Sequence, residues 1–256
     1  MPAPAPPPVP HPLDDDVARL AALVPRGLYL PVVRGWSTGP QPSAPGTGWH
    51  ACADLLADPE ALPGWQDAVA RQLERAHGRP APTQVPPTYV MGWYLDAVAR
   101  VGATWLGAAT RVPGVGVGDL ALHLSAGGWP DGAALLRTRF RCLPDDPAAG
   151  HPDAEVLPDR PALTEALRAD LDRHARAFHN AFAPDVAIGS RQRFGMVDDV
   201  LEAAAWAAGE LTGDPGAGRA DAEALCGPNP TRVRRTCCFA YLLDPALLCL
   251  RCPRRG

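Results

Sequence analysis

The sequence predicts an α+β fold, predominantly helical, with a central antiparallel β-hairpin or small sheet and a cysteine-bearing tail at the C-terminus. Three observations carry that class. Several windows repeat apolar residues every three or four positions, as helices buried along one stripe do, while one stretch alternates residue by residue between turn-forming glycines, prolines and aspartates. Beyond the last helical window, four of the seven cysteines crowd into Cys237–Cys252.

Met1 to Pro12 holds seven prolines and little that packs, so residues 1–13 read as a disordered Pro-rich leader. Asp14, Asp15 and Asp16 then precede Val17, Leu20, Leu23 and Val24, with carboxylates at the positive end of a short first helix closed by Pro25. Leu28 to Val33 suits a strand, and residues 34–48 a long Gly/Pro/Ser/Thr loop. Trp65, Val69 and Leu73 recur every four residues and predict an amphipathic helix, followed by a Pro-rich connector from Arg79 to Pro87. Thr88 to Thr110 is almost continuously apolar, broken by Asp96 and Arg100 at a spacing that pairs across one turn. It predicts the central helix.

The period then changes. Leu120, Leu122 and Leu124 alternate with Ala121, His123 and Ser125, AGGWPDG supplies a turn, and Leu135 to Cys142 resumes as a β-like run. Arg137, Arg139 and Arg141 share one face of that run, either solvated or forming one wall of an anionic-ligand pocket. After a polar loop from Pro144 to Pro161, Leu163, Leu167, Leu171, Phe178 and Phe182 mark a long helix ending before Pro184. His174 and His179 on it are five apart rather than four, so both are expected to be surface or packed histidines. Phe194, Val197, Leu201, Ala204, Ala208 and Leu211 predict another helix, and Ala220 to Leu225 a short last one. These patterns divide the chain into the leader, a helical α+β substrate-binding domain over 14–226, and a metal-binding segment over 227–256.

Composition excludes several functions. The 256 residues suffice for one large core, and a net charge of −4 with pI near 6.0 argues against a nucleic-acid binder. All 24 basic residues are arginine, which with abundant Ala, Pro and Gly reads as codon bias. No apolar run reaches eighteen residues and no charged segment leads into an apolar one, so neither a membrane span nor a secretory leader is expected. The expectation is a cytoplasmic protein with reduced thiols.

The tail reads TCCFAYLLDPALLCLRCPRRG, placing Cys237 and Cys238 side by side, then Cys249 and Cys252 as C-x-x-C. Four thiolates at that spacing suit tetrahedral zinc or the two irons of a [2Fe–2S] cluster, and spacing alone leaves both open. Adjacent side chains of an extended strand point to opposite faces, so the chain must turn at Cys237–Cys238 for both to meet one centre. Cys52, Cys142 and Cys226 are expected to be small buried hydrophobes, with Cys226 near enough in sequence to replace a lost ligand. GVGVG at Gly114–Gly118 lacks the dinucleotide-binding order of glycines, and GSR at Gly189–Arg191 lacks a nucleophile elbow.

VRRTCC, Val233 to Cys238, followed after ten residues by C-x-x-C, resembles the FhuF-type ferric-siderophore reductase family. That resemblance implies a [2Fe–2S] cluster held by Cys237, Cys238, Cys249 and Cys252, and so a C-terminal iron–sulfur tail. It implies one-electron reduction of a chelated ferric ion in the cytoplasm, with a hydroxamate siderophore as substrate and a reduced ferredoxin or flavin reductase as donor. SRQRFGM, Ser190 to Met196, stands where relatives carry an Arg, a Trp and an Asn; Phe194 stands for that Trp, and Met196 does not supply the amide. Arg234 and Arg235, with Arg232, are candidates to attract an anionic chelate, and Trp129, Phe239 and Tyr241 to wall its pocket. The competing class is non-enzymatic: a zinc-containing or iron–sulfur binding or sensor protein, or a protein-to-protein electron carrier.

Overall fold

The computed structural model describes residues 11–23, 31–34, 47–109 and 111–255. Its elements in order are α1 (Pro12–Leu23), β1 (Val32–Arg34), β2 (Gly48–Ala51), α2 (Cys52–Ala57), α3 (Ala61–His77), α4 (Val85–Ala109), β3 (Val112–Pro113), β4 (Leu120–Leu124), β5 (Pro130–Leu135), β6 (Phe140–Cys142), β7 (Ala154–Val156), α5 (Arg160–Ala181), α6 (Ser190–Thr212), α7 (Pro215–Cys226) and a 3-10 turn, Ala240–Leu242. The fold is α+β with helices predominating.

α4 is the axis. Val90, Met91, Tyr94, Trp105 and Leu106 are completely buried, because nearly every position of this helix is apolar and it is covered on all sides. α3, α5 and α6 pack around it, and α7 packs on α6. Asp96 and Arg100 pair at 2.6 Å on its less buried face. α5 starts where Asp159 accepts the Ala162 N–H at 2.8 Å with a proline in the first turn, and α7 starts the same way at Asp214. Against the helices lies a four-stranded sheet, order β1-β5-β4-β2, in which β4 and β5 form the predicted antiparallel hairpin and β1 runs parallel to β5. A second sheet has the order β3-β6-β7.

Several boundaries differ from the sequence reading. Leu13 is fully buried and begins α1 beside Pro12, so the packed chain starts before residue 14; residues 1–10 lie outside the described ones, as do 24–30 and 35–46. Pro86 and Pro87 belong to the first turn of α4 rather than to a connector, because the N–H they lack has no intrahelical partner there. The hairpin's second strand is Pro130–Leu135, not Leu135–Cys142. Residues 136–139 leave the first sheet, and Phe140–Cys142 crosses to the second, pairing with β3 and β7. The alternation continues through both pieces, so periodicity could not reveal the break. Phe194, assigned to the buried stripe of α6, is 54 % exposed.

Among the described residues, no helix is long and apolar enough to cross a membrane.

Candidate metal centre

α6 carries two stripes. Val197, Leu201, Ala204 and Ala208 face α4 and the core, whereas Met196, Asp199, Glu202 and Trp206 recur at helical spacing on another side and hold the tail. Asp199 is 2 % exposed and accepts the main-chain N–H groups of Arg235 (2.7 Å) and Thr236 (2.9 Å) and the Thr236 hydroxyl (2.5 Å). Glu202, 1 % exposed, accepts from Arg235 Nη1 at 2.9 Å, Arg251 Nη2 at 2.6 Å and the Asn229 amide at 2.9 Å. Arg235 lies two residues before Cys237 and Arg251 directly before Cys252. One carboxylate therefore ties both cysteine-bearing segments to one helix, and Arg234 N–H to Arg251 O at 2.9 Å joins the segments to each other.

The close approach depends on Gly195, where a Cβ would stand 2.7 Å from Thr236 Cγ2. Gln192, one turn earlier, donates its side-chain amide to Cys237 O at 2.5 Å. After Cys238 the chain turns through Phe239, whose φ of 59° is left-handed, into the 3-10 turn. The turn thus falls after Cys238 rather than between the adjacent cysteines. At the other end, Cys252 N–H donates to Cys249 O at 3.0 Å, closing C-x-x-C into a tight turn.

All four tail cysteines are free thiols, Cys252 buried and the others half-buried. They are mutual neighbours: Cys237 is within electrostatic range of Cys238 and Cys252, and Cys249 of the same two. Burial, with those neighbours adding to it, pushes the Cys237 and Cys249 thiols above their ordinary values. Phe239 N–H donates to Cys237 Sγ at 3.4 Å, a donor that favours thiolate. Among the described residues no three of these sulfurs lie within 4.8 Å of one another.

Arg234 and Arg235, expected to be free for a chelate or solvated, are instead committed to α6. Arg234 Nε reaches Asp199 at 3.4 Å and its Nη2 reaches Met196 Sδ at 3.1 Å. Arg235 also lies 3.7 Å from Asp198. Arg232 stacks over the Trp206 ring at 3.5 Å. Tyr241 and Phe239 are half-buried in the tail, Tyr241 under Arg254 at 4.2 Å. Trp129 is 46 % exposed on the β4–β5 turn, folded over Gly127. Cys52 and Cys142 are fully buried, as expected. Cys226 points to Asp198 O at 3.6 Å and is pushed up to about 12 by burial, so it serves packing.

Sequence reasoning missed Tyr89, Gln192, Asp199, Glu202 and Arg251. Burial, together with the nearby Cys238 and Cys249, raises the Tyr89 hydroxyl to about 12, and Trp93 stands beside Tyr89 at 5.2 Å. Asp199 and Glu202 stand three apart on α6, and in the sequence alone they look like ordinary surface carboxylates. His11, His151 and Asp153 also come together, their ligand atoms within 4.8 Å of one another. Both Nδ1 atoms accept main-chain N–H groups, from Leu13 and Asp153, at 3.1 Å each. That fixes the protons on Nε2, and His11 donates its own to Asp153 at 3.2 Å. Metal-ligating histidines donate their second nitrogen, so this trio is a hydrogen-bonded clasp at the start of α1.

No protein-family model, curated protein or solved structure matches the chain.

Proposed function

We propose that the chain is a ferric-siderophore reductase, holding a [2Fe–2S] cluster on Cys237, Cys238, Cys249 and Cys252 and reducing chelated Fe(III) to Fe(II) in the cytoplasm. The observation that carries this reading is the nearness of the thiols: four free cysteines lie close together on one docked tail. Four thiolates suit tetrahedral zinc or, taken as two pairs, a two-iron centre. The tail's likeness to the FhuF-type family favours the two-iron centre.

When bound, such a cluster supplies one electron at a time. The chain's own residues set the conditions. The Cys237 and Cys249 thiols are held above their ordinary values by burial, so loading releases their protons and weakens as pH falls. Asp198, Asp199 and Glu202 offset the charges of Arg234, Arg235 and Arg251, so the platform adds little net field. Tyr89 lies near the Cys238 and Cys249 thiols. Leu250, between Cys249 and Cys252, is 88 % exposed, so the C-x-x-C turn stands at the surface, where the chelate is taken to dock. A siderophore prefers Fe(III), each tenfold of preference lowering the iron's midpoint potential by about 59 mV, so release is helped by draining Fe(II). A reduced ferredoxin or flavin reductase would resupply the electron, and a hydroxamate chelate is the proposed substrate.

Anaerobic mixing of the reduced protein with ferric hydroxamate, catecholate and carboxylate complexes tests this. Rapid reoxidation with Fe(II) appearing in step is expected for at least the hydroxamate. A protein that keeps its electron with every chelate but gives it to an oxidised carrier protein is an electron carrier instead.

A further inference from the structure

We propose that a second site, the cleft between the Gly114–Gly118 loop, residues 137–141 and α5, binds a small molecule carrying two or more oxyanion groups. It stands apart from the metal centre and does not rest on the redox reading. The cleft encloses about 890 Å³, near the upper end of the roughly 300–1,000 Å³ of ligand pockets. Extended backbone sends alternate side chains to one side, so Arg137, Arg139 and Arg141 line one wall together; Arg173 comes from α5.

The cations have donors to spare, while each carboxylate lining the cleft already accepts a hydrogen bond or ion pair. Asp170 bridges Arg141 at 2.5 Å and Arg173; Glu155 accepts from Arg141 at 2.9 Å. Asp153 is held by His11, and one Asp119 oxygen accepts the Gly116 N–H at 3.0 Å. Arg137, by contrast, is 68 % exposed and reaches Asp119 only at 3.4 Å. The Arg173 side chain is 64 % exposed beyond its single carboxylate contact. Arg139 is exposed and has no ion pair among the described residues. Each guanidinium offers five N–H groups in a planar fork that matches carboxylate or phosphate oxygens, so three arginines present an unfilled donor surface. His174 at the cleft wall adds no competing acceptor, because Nδ1 donates to Val115 O at 2.6 Å and Nε2 accepts from the Tyr94 hydroxyl at 2.7 Å. The shared chemistry is an oxyanion, borne by a polycarboxylate or a phosphate ester.

Calorimetric titration of the full-length protein with citrate and with pyrophosphate at low ionic strength tests it. Saturable one-to-one binding of at least one probe is expected, weakened by added salt and by at least about tenfold in Arg139→Gln/Arg173→Gln. Arg219→Gln, on an exposed ion pair of α7, should leave it unchanged. Tighter pyrophosphate identifies a phosphate ligand, tighter citrate a polycarboxylate. Arg139→Gln alone, which disturbs no ion pair, separates loss of binding from loss of fold. No saturable heat with either probe, or equal affinity in the double variant, overturns the proposal.

Discussion

At Asp199 a single carboxylate with no exposed side-chain surface gathers three hydrogen bonds and the edge of one guanidinium immediately before Cys237. Removing one partner of such a buried set leaves the others unpaired, at a cost of about 3–5 kcal/mol. Asp199→Asn turns an acceptor into a donor facing two N–H groups, so the variant should lose metal from the tail while α4 and its core stay folded; full metal content would show that the carboxylate does not position the ligands. Each Cys→Ser change at 237, 238, 249 or 252 should bleach any visible chromophore, and Cys142→Ser should not, which absorption spectra check. His179 behaves differently: it is 7 % exposed, both ring nitrogens lack a partner, and burial lowers it from 6.5 to about 4. Between those values the unfolded chain binds a proton that the folded one refuses, so stability falls as pH drops through that window, by on the order of 2–3 kcal/mol, then levels off. Denaturant unfolding of His179→Leu at several pH values should show a flatter acid limb; parallel curves would mean that His179 is not held neutral.

α6 serves two partners with two faces, and the tail depends on it. Among its described residues the tail buries only Thr236, Leu243 and Cys252. Its order comes from polar anchors on a rigid helix. Gly195 sets the separation: in Gly195→Ala the new methyl meets Thr236 Cγ2 at 2.7 Å, and the tail must move off the helix or Thr236 must turn away from Asp199. Overpacking of this kind costs about 1–3 kcal/mol. Faster proteolysis within residues 227–255, with an unchanged helical circular dichroism spectrum, is the expected outcome. Equal cleavage of variant and parent would indicate that the tail adapts to the methyl.

Across the whole molecule, what could be read in advance was what has a period. α3, α4, α5 and the core face of α6 follow apolar stripes, and the β4–β5 hairpin follows strict alternation and a glycine-rich turn. The parallel partner β1 and the switch of Phe140–Cys142 to a second sheet depend on long-range pairing, which leaves no local mark. In the tail, cysteine spacing gave the candidate ligands and the need for a turn at Cys238. Its anchors were hidden because Asp199, Glu202, Arg235 and Arg251 lie as far as 52 positions apart and resemble any surface charges until the fold pairs them. The arginines beside the cysteines thereby change meaning, from chelate-binding groups to the polar side of a docking contact. The measurement that bears most directly on the centre itself is iron, acid-labile sulfide and zinc content of anaerobically purified protein. Two irons and two sulfides per chain, with visible absorption that collapses on acidification, are predicted. A colourless protein carrying one zinc and no sulfide would contradict the reductase reading.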